Sequence, residues 1–212
     1  MPVKPLERAK SRLRGAADHG VGDAGAHAAL ALALARDTVA AALAARAVRR
    51  LLVVSSDPAV AAELGALGAE VTPDVHRGHN AALRHGADVL RGWDPGAAVG
   101  ALQADLPALR ADELDEAVAD ARALFATGAR RVFCADADGS GTTLLLAAAG
   151  VALDPRFGPG SAARHAASGA VALVGARPGL RRDVDTGDDL RAATALGLGP
   201  HTRAVLAPVC GC

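Results

Sequence analysis

Two glycine-rich segments and three aspartates carry the residue types that bind phosphate and Mg²⁺. The segments are Gly139-Ser140-Gly141-Thr142-Thr143 and Phe157-Gly158-Pro159-Gly160-Ser161, and the aspartates are Asp105, Asp183 and Asp185. Backbone N–H groups exposed at glycine-rich turns and at a helix N-terminus bind phosphate oxygens, and spaced carboxylates hold the cation that neutralises them. The sequence therefore predicts an enzyme that handles a phosphorylated small molecule.

The three aspartates have the spacing of a cation site. Asp105 precedes Leu106-Pro107, which favours an extended backbone and a carboxylate that projects from a strand end. Asp183 and Asp185 are two residues apart, so both side chains of an extended segment project to one side. Each pattern has an alternative. Asp105 would be a turn residue that binds its own loop, and the other two would form a solvated turn before a helix that begins near Gly187.

The glycine-rich segments are the predicted anion-binding half of the site. Thr142 lies directly before an apolar strand and offers a hydroxyl and a backbone N–H beside two glycines, which suits an anionic oxygen. A hairpin turn is the alternative for that segment. In the second segment, Gly160 or Ser161 is the predicted N-cap of a helix that ends near Ser168, and a helix N-terminus reached through glycines also binds phosphate.

Basic residues are concentrated at residues 2–13, a stretch that contains Lys4, Lys10 and Arg12. Such a loop after the first strand of a sheet would wrap a triphosphate and offset the charge on a pyrophosphate leaving group. A solvated terminal arm is the alternative. Neither G-x-x-x-x-G-K-[ST] nor a G-x-G-x-x-G after the first strand occurs, which disfavours P-loop NTPases and dinucleotide oxidoreductases.

Composition limits the class of protein. The 212 residues suit one domain spanning residues 1–212, with an aliphatic core because aromatic residues make up only 2%. Lys+Arg and Asp+Glu are equal at 23 each, which argues against a nucleic-acid partner. We find no apolar run of the ~20 residues that span a bilayer and no signal peptide, so we expect a cytoplasmic protein without a membrane partner. The histidines and the three cysteines, Cys134, Cys210 and Cys212, lack the spacing of a zinc site.

Apolar patterns predict alternating helices and strands. The predicted helices cover residues 23–46, 57–67, 80–90 and 112–126, the last capped by Asp112, and the predicted strands cover residues 51–54, 70–72, 97–103 and 131–135. This alternation predicts parallel βαβ units in a doubly wound α/β fold, with a mostly parallel sheet flanked by helices. After residue 136, short strands at 143–148 and 170–174 are separated by glycine-rich turns, so we expect the sheet to become partly mixed.

Five ordered segments resemble the guanylyltransferases of coenzyme F420 biosynthesis that act on phosphoenolpyruvate or 2-phospho-L-lactate (the CofC/FbiD type). The segments are residues 2–13, 103–109, 136–143, 157–165 and 181–186, and together they span nearly the whole chain. The resemblance implies a single-domain, Rossmann-like nucleotidyltransferase fold of the GT-A/MobA-like type, related to molybdenum-cofactor guanylyltransferases. It also implies GTP as the nucleotide donor and Mg²⁺ as the cofactor.

The resemblance implies roles for individual residues. The implied catalytic residues are Asp105, Asp183 and Lys10, and the implied Mg²⁺ ligands are Asp105, Asp183 and Asp185. The residues implied to hold the phosphate and carboxylate of the acceptor are Thr142, Gly158 and Ser161, with Thr143 as the alternative to Thr142. The implied nucleotide-binding residues are Lys4, Lys10, Arg12 and Asn80, the last preceded by a histidine that is unusual in the family.

The implied reaction transfers GMP from GTP to phosphoenolpyruvate and gives enolpyruvoyl-diphospho-guanosine and pyrophosphate. The same contacts suit 2-phospho-L-lactate as the acceptor. A related nucleotidyltransferase of molybdopterin or a sugar phosphate and a nonenzymatic nucleotide-sensing subunit are further alternatives, and a homodimer is one assembly that the sequence allows. Family members carry apolar strand residues before the segment that begins at Pro2, so we expect most of the first strand to be missing, through a start site chosen downstream or a degenerate strand.

Overall fold

The computed structural model describes residues 1–6, 13, 15–18, 20–75 and 78–207. The described helices are α1 (Ala24–Ala44), α2 (Pro58–Ala66), α3 (His79–Trp93), α4 (Ala111–Ala126), α5 (Ser161–Ala167), α6 (Pro178–Arg181), α7 (Gly187–Leu196) and α8 (Pro200–Leu206). The described strands are β1 (Leu52–Val54), β2 (Glu70–Thr72), β3 (Val99–Leu102), β4 (Arg131–Ala135), β5 (Thr142–Ala147) and β6 (Val171–Ala172). The predicted α/β class is confirmed, and β2 and β4 have the predicted bounds.

The strands form two sheets. β1 and β2 are parallel, and residues 1–3 extend this sheet because Val3 N donates to Val54 O at 3.0 Å and Val54 N donates to Met1 O at 2.9 Å. The second sheet has the order β3-β5-β4-β6, with β5 antiparallel to both β3 and β4 and with β6 parallel to β4. The predicted change to mixed pairing after residue 136 is confirmed. β3 and β6 are shorter than the predicted strands at 97–103 and 170–174.

Polar residues define where the helices begin. The carboxylate of Asp57 accepts hydrogen bonds from Ala59 N and Val60 N and thereby caps α2. α4 corrects the prediction, because its N-cap is Arg110 and Asp112 lies inside the first turn. There the carboxylate of Asp112 favours the helix dipole and binds the guanidinium of Arg110 at 3.1 Å. α4 therefore begins one residue before the predicted cap.

Helix α1 is a central helix of the core. The predicted apolar face is confirmed, since Leu30, Leu34 and Val39 are each at most 1% exposed, and α1 packs against α2, α4 and α8. By length and composition, α1 is also the one helix among the described residues that could cross a membrane, although Arg36 and Asp37 interrupt its apolar sequence. The buried helix of a protein core can have the same length and composition, and 56% of the most apolar part of α1 is buried inside the protein. These two properties are therefore weak evidence for a membrane span.

One end of the larger sheet collects the segments that the sequence singled out. β3 and β4 both end there, and β5 begins there, since Leu102 is opposite Leu144 and Ala135 is opposite Thr142. The residues that follow β3 and β4 and the residues that precede β5 therefore meet at this end. In α/β folds, ligands bind beyond the carboxyl ends of strands, so this end is the expected position of a site.

Candidate active site

Asp105 and the segment from Asp183 to Asp185 lie side by side. The backbone N–H of Val184 donates a hydrogen bond to the carbonyl oxygen of Asp105 at 3.1 Å. Val184 is fully buried, whereas Asp183 is half-buried and Asp185 is exposed. Because neighbours in an extended segment project to opposite sides, the burial of Val184 turns both aspartates away from the core. The structure thus brings together the carboxylate-bearing segments predicted from the sequence.

The chemistry of this donor set fits Mg²⁺. Proteins commonly hold Mg²⁺ through one or two carboxylates, while substrate phosphates and water complete the octahedral shell. Within residues 1–6, 13, 15–18, 20–75 and 78–207, no three His, Cys, Asp or Glu side chains are grouped closely enough to hold a metal by themselves. The aspartates therefore suit a cation that shares its shell with a nucleotide, and the assignment of Asp105, Asp183 and Asp185 as its ligands stays a prediction.

Backbone hydrogen bonds connect the two glycine-rich segments to each other and to the end of β3. Ala162 N, in the first turn of α5, donates to Ser140 O at 3.1 Å. Gln103 N donates to Thr143 O at 2.9 Å, which places the start of β5 two residues from Asp105 along the chain. The predicted anion-binding and cation-binding halves therefore lie at the same end of the sheet.

A β-bulge distinguishes Thr142 from Thr143. Cys134 is opposite Leu144 and Ala135 is opposite Thr142, so Thr143 is the extra residue of β5. A bulge re-aims the flanking side chains, and the Thr142 hydroxyl lies 2.9 Å from Nδ1 of His165 in α5, whereas Thr143 is fully buried. Thr142 is therefore the threonine on the side of the glycine-rich segment that contains Gly158 and Ser161.

Asp136 organises the turn that precedes β5. Its carboxylate accepts hydrogen bonds from Ser140 N at 2.9 Å and from Gly141 N at 2.7 Å. A Cβ on Gly141 would overlap this carboxylate, so the turn requires glycine at that position. The guanidinium of Arg181 donates to the carbonyl oxygen of Asp136 at 2.9 Å and links the turn to the segment that carries Asp183. Asp136 thus fixes the shape of the turn between β4 and β5.

The segment from Phe157 to Ser161 is fixed by side chains on both sides. The amide of Asn80 donates to Phe157 O at 3.0 Å and accepts from Phe157 N at 2.8 Å. Arg164 donates to Pro159 O at 2.6 Å and also to Arg156 O. Gly158 has a φ of +121°, a backbone conformation that disfavours side chains. The loop therefore has a defined shape before any ligand binds.

The N-terminus of α5 requires a correction to the sequence-based expectation. Gly160 is the N-cap, as one of the two predicted alternatives, and the helix ends at Ala167. Ser161 N donates to Gly158 O and Ala162 N donates to Ser140 O, so two of the first amides already have partners within the protein. The expected phosphate cradle at this terminus therefore cannot rely on those two N–H groups.

The predicted nucleotide side is described only in part. Lys4 is exposed, and Lys10 and Arg12 lie outside the described residues. His79 lies within electrostatic range of both Lys4 and Asp105, and burial lowers the pKa of His79 to about 4, with a smaller contribution from Lys4. The imidazole of His79 is therefore neutral near pH 7 and is influenced by the charges of both Lys4 and Asp105.

Asn80 has a structural role that the sequence did not indicate. Its amide makes the two bonds to Phe157 described above, which connect residues 77 positions apart. Its predicted contact with the nucleotide stays a prediction. The sequence predicts a role for Asn80 and for the segment from Phe157 to Ser161, but no local pattern indicates that they pair.

His165 is the second residue whose role sequence reasoning missed. Its Nε2 accepts a hydrogen bond from Arg156 N at 2.9 Å, and its ring packs against Phe157 and Phe133 with centroid distances of 5.2 and 5.8 Å. The side chain is completely buried, and burial lowers its pKa to about 4. His165 lies four residues after Ser161 in α5, and residues with this spacing share one face of a helix, so the spacing alone could have indicated that His165 lies near the acceptor segment.

Comparison with curated proteins gives close relatives over almost the full chain. The chain is 56% identical to the phosphoenolpyruvate guanylyltransferase of Geodermatophilus obscurus, covering 97% of this chain and 92% of that protein. It is 54% identical to the protein of the same name from Streptomyces scabiei, covering 98% of this chain and 94% of that protein. The corresponding values for Thermomonospora curvata are 54%, 98% and 87%. No established family profile matches the chain.

Solved structures support the fold. A protein from Desulfovibrio desulfuricans, provisionally named a nucleotide-diphospho-sugar transferase, superimposes with a TM-score of 0.64 at 17% identity and covers 97% of this chain and 90% of that one. CMP:2-keto-3-deoxy-manno-octonic acid synthetase complexed with CTP gives a TM-score of 0.54 at 14% identity, covering 92% and 95%. These similarities confirm the predicted nucleotidyltransferase fold. Together with the sequence identities, they show that the chain belongs to the phosphoenolpyruvate guanylyltransferase family.

Proposed function

We propose that this protein is a guanylyltransferase that transfers GMP from GTP to phosphoenolpyruvate in the synthesis of coenzyme F420. The observation that carries the proposal is the 56% identity to the Geodermatophilus obscurus enzyme over 97% of the chain. The geometry agrees with it, because the segments of Asp105, Asp183 and Thr142 meet at one end of the sheet. Such a site suits two anionic substrates and a cation.

In the proposed reaction, an ionised phosphate oxygen of phosphoenolpyruvate attacks the α-phosphorus of GTP. A new bond forms between that oxygen and the α-phosphorus, the bond from the α-phosphorus to the β-phosphate oxygen breaks, and pyrophosphate leaves. No general base is required, because the attacking phosphate is already an anion near neutral pH. The protein must therefore hold two mutually repelling anions in line, which is mainly positioning and charge stabilisation.

Each half of the site has a part in that positioning. Thr142, Gly158 and Ser161 would hold the phosphate and carboxylate of the acceptor. Asp105 and Asp183 would hold Mg²⁺, which when bound screens the phosphates and stabilises the charge that develops on the transferring group. Lys4, with Lys10 and Arg12, would offset the charge of the departing pyrophosphate.

The fixed shape of the acceptor loop favours a small substrate. Asn80 and Arg164 tie the loop to α3 and to residue 156, and His165 fills the space beneath it. A three-carbon acid phosphate needs only phosphate and carboxylate contacts, whereas molybdopterin and sugar phosphates are larger and would need further contacts. The loop contacts therefore support phosphoenolpyruvate or 2-phospho-L-lactate over the larger acceptors.

The test is a product assay with GTP, Mg²⁺ and each acceptor in turn. We expect pyrophosphate release and, by mass spectrometry, a guanylylated product with phosphoenolpyruvate at a higher kcat/KM than with 2-phospho-L-lactate. Asp105→Asn and Asp183→Asn should each reduce kcat at least ~100-fold without unfolding the protein. Asp188→Asn is the matched control, because Asp188 is an exposed carboxylate in the first turn of α7 and pairs with Arg191.

Other outcomes distinguish the alternatives. Full activity of Asp105→Asn would contradict the role given to that carboxylate. Product formed only with a sugar phosphate or molybdopterin would overturn the acceptor. GTP binding without pyrophosphate release from any phosphorylated three-carbon acid would favour a nucleotide-sensing subunit.

A further inference from the structure

His165 has a fixed tautomer. A backbone N–H can only donate a hydrogen bond, and Arg156 N donates to Nε2 of His165 at 2.9 Å. Nε2 is therefore unprotonated, and the neutral ring carries its proton on Nδ1. The ring is neutral near pH 7, because burial and the neighbouring Arg164 lower the pKa of His165 to about 4.

The tautomer of His165 determines how the Thr142 hydroxyl is used. Nδ1 lies 2.9 Å from Oγ1 of Thr142. Since Nδ1 carries the proton, His165 donates this bond and the hydroxyl accepts it. A hydroxyl has one proton and two lone pairs, so the proton of Thr142 remains to be donated in another direction. A hydroxyl that donates is the form that binds a phosphate or carboxylate oxygen.

The surroundings hold this arrangement rigidly. His165 is completely buried, Thr142 is 4% exposed, and the rings of Phe133 and Phe157 contact the imidazole. Phe157 also begins the loop that carries Gly158, and Asn80 fixes the backbone of Phe157. The imidazole is thus oriented by the same loop that is expected to hold the acceptor.

We propose that His165 is a positioning residue of the acceptor site, which holds the Thr142 hydroxyl as a hydrogen-bond acceptor and so leaves its proton to donate to an oxygen of bound phosphoenolpyruvate. The inference rests on the proposed function, because it needs Thr142 to contact the acceptor. His165 itself touches neither substrate. Its effect is therefore confined to the acceptor and does not extend to GTP.

Two substitutions separate the two nitrogens of the ring. In His165→Asn, the amide occupies the place of Nδ1 and can still donate to Thr142. In His165→Gln, the longer side chain places the amide near Nε2, where it can accept from Arg156 N but no longer reaches Thr142. Each variant keeps one of the two hydrogen bonds, so the two form a matched pair for stability.

Steady-state kinetics with GTP, Mg²⁺ and phosphoenolpyruvate provide the test. Without the bond from Nδ1 of His165, the Thr142 hydroxyl is no longer oriented to donate to the charged acceptor. The loss of a hydrogen bond to a charged group reduces affinity roughly 10-fold or more. We expect His165→Gln to raise the KM for phosphoenolpyruvate by about that factor and His165→Asn by less than about threefold, with the KM for GTP unchanged in both. In a Thr142→Val background, His165→Gln should have no further effect on the acceptor KM.

The results that would overturn the proposal are distinct from those that test the function. If the wild type does not use phosphoenolpyruvate, the proposed function fails and the positioning role fails with it. If the wild type is active but the two variants change both KM values equally, or if His165→Gln and Thr142→Val are additive, His165 is only structural. Nitrogen NMR of the wild type gives a test that needs no activity, since a proton on Nε2 would refute the tautomer.

Discussion

Replacing Asn80 by alanine should detach the acceptor loop from helix α3. The amide of Asn80 makes two hydrogen bonds to the backbone of Phe157, at 3.0 and 2.8 Å, and alanine makes neither. Each bond contributes about 0.5–1.5 kcal/mol net, so the free energy of unfolding should decrease by about 1–3 kcal/mol. For a domain of this size, that decrease corresponds to a Tm lower by roughly 2–12 °C. Differential scanning calorimetry measures both quantities.

Kinetics of the same variant distinguish a loop anchor from a nucleotide ligand. If Asn80 mainly holds the loop, Asn80→Ala raises the KM for phosphoenolpyruvate, because Gly158 and Ser161 lose their fixed positions, and the KM for GTP stays within about twofold. Asn80→Asp keeps an acceptor for Phe157 N but places a carboxylate oxygen against the carbonyl oxygen of Phe157, so it should also raise the KM for phosphoenolpyruvate. Arg84→Ala, exposed on the same helix, is the control and should change neither constant.

One kinetic result would contradict the role of Asn80 as a loop anchor. An increase in the KM for GTP, with the acceptor KM and the Tm both unchanged, would refute the loop-anchor reasoning and assign Asn80 to the nucleotide. A change in both KM values with a lower Tm would mean that the loop and the nucleotide site depend on each other.

Three further predictions concern packing, pH and thiol reactivity. Gly179→Ala should lower the free energy of unfolding, measured by urea denaturation, by about 1–3 kcal/mol, because the added Cβ would overlap the carbonyl oxygen of Ala108. Gly92→Ala is the control, since a Cβ there has open space, and it should be neutral or stabilising. Equal effects of the two substitutions would contradict the packing argument. The pKa of His165 is lowered from 6.5 to about 4, so as the pH falls between these values the unfolded chain binds a proton that the folded chain does not. The unfolding free energy should then decrease by about 1.4 kcal/mol per pH unit more in the wild type than in His165→Asn, and parallel pH profiles would contradict this. Burial raises the pKa of Cys134, so its peptide should stay unmodified by iodoacetamide at pH 8 until the protein is denatured, as mass mapping would show.

The sequence predicted those parts of the fold and site that depend on local patterns. The apolar face of α1 follows from helical periodicity, and Leu30, Leu34 and Val39 are buried as expected. The meeting of Asp105 with the Asp183 segment was predicted from a strand end and from a D-x-D spacing, and a hydrogen bond from Val184 N now joins them. The helical face was predictable because it depends on residues near one another in the chain, and the two aspartate segments were predictable because each has its own local pattern, although they lie far apart in the chain.

The remaining features depend on contacts between distant segments. The choice between Thr142 and Thr143 could not be made from strand alternation, because a bulge interrupts the alternation at that point. The pairing of Asn80 with Phe157 crosses 77 positions. The tautomer of His165 depends on a backbone amide that lies before its own helix. In each case the residue was visible in the sequence, but its partner was not.

The bulge in β5 explains how one strand serves both halves of the proposed site. The carbonyl of Thr143 holds the end of β3 through Gln103 N, and the hydroxyl of the preceding Thr142 binds His165 beneath the acceptor loop. In a regular strand, neighbouring side chains face opposite sides and the ladder continues without interruption. Inserting one residue lets Thr142 face α5 while Thr143 keeps its backbone bond to the aspartate side. Two consecutive residues of β5 thus contact the two predicted halves of the site. Deleting Thr143 should therefore raise both the KM for phosphoenolpyruvate and the Mg²⁺ concentration needed for half-maximal activity, whereas Thr142→Val should raise only the first.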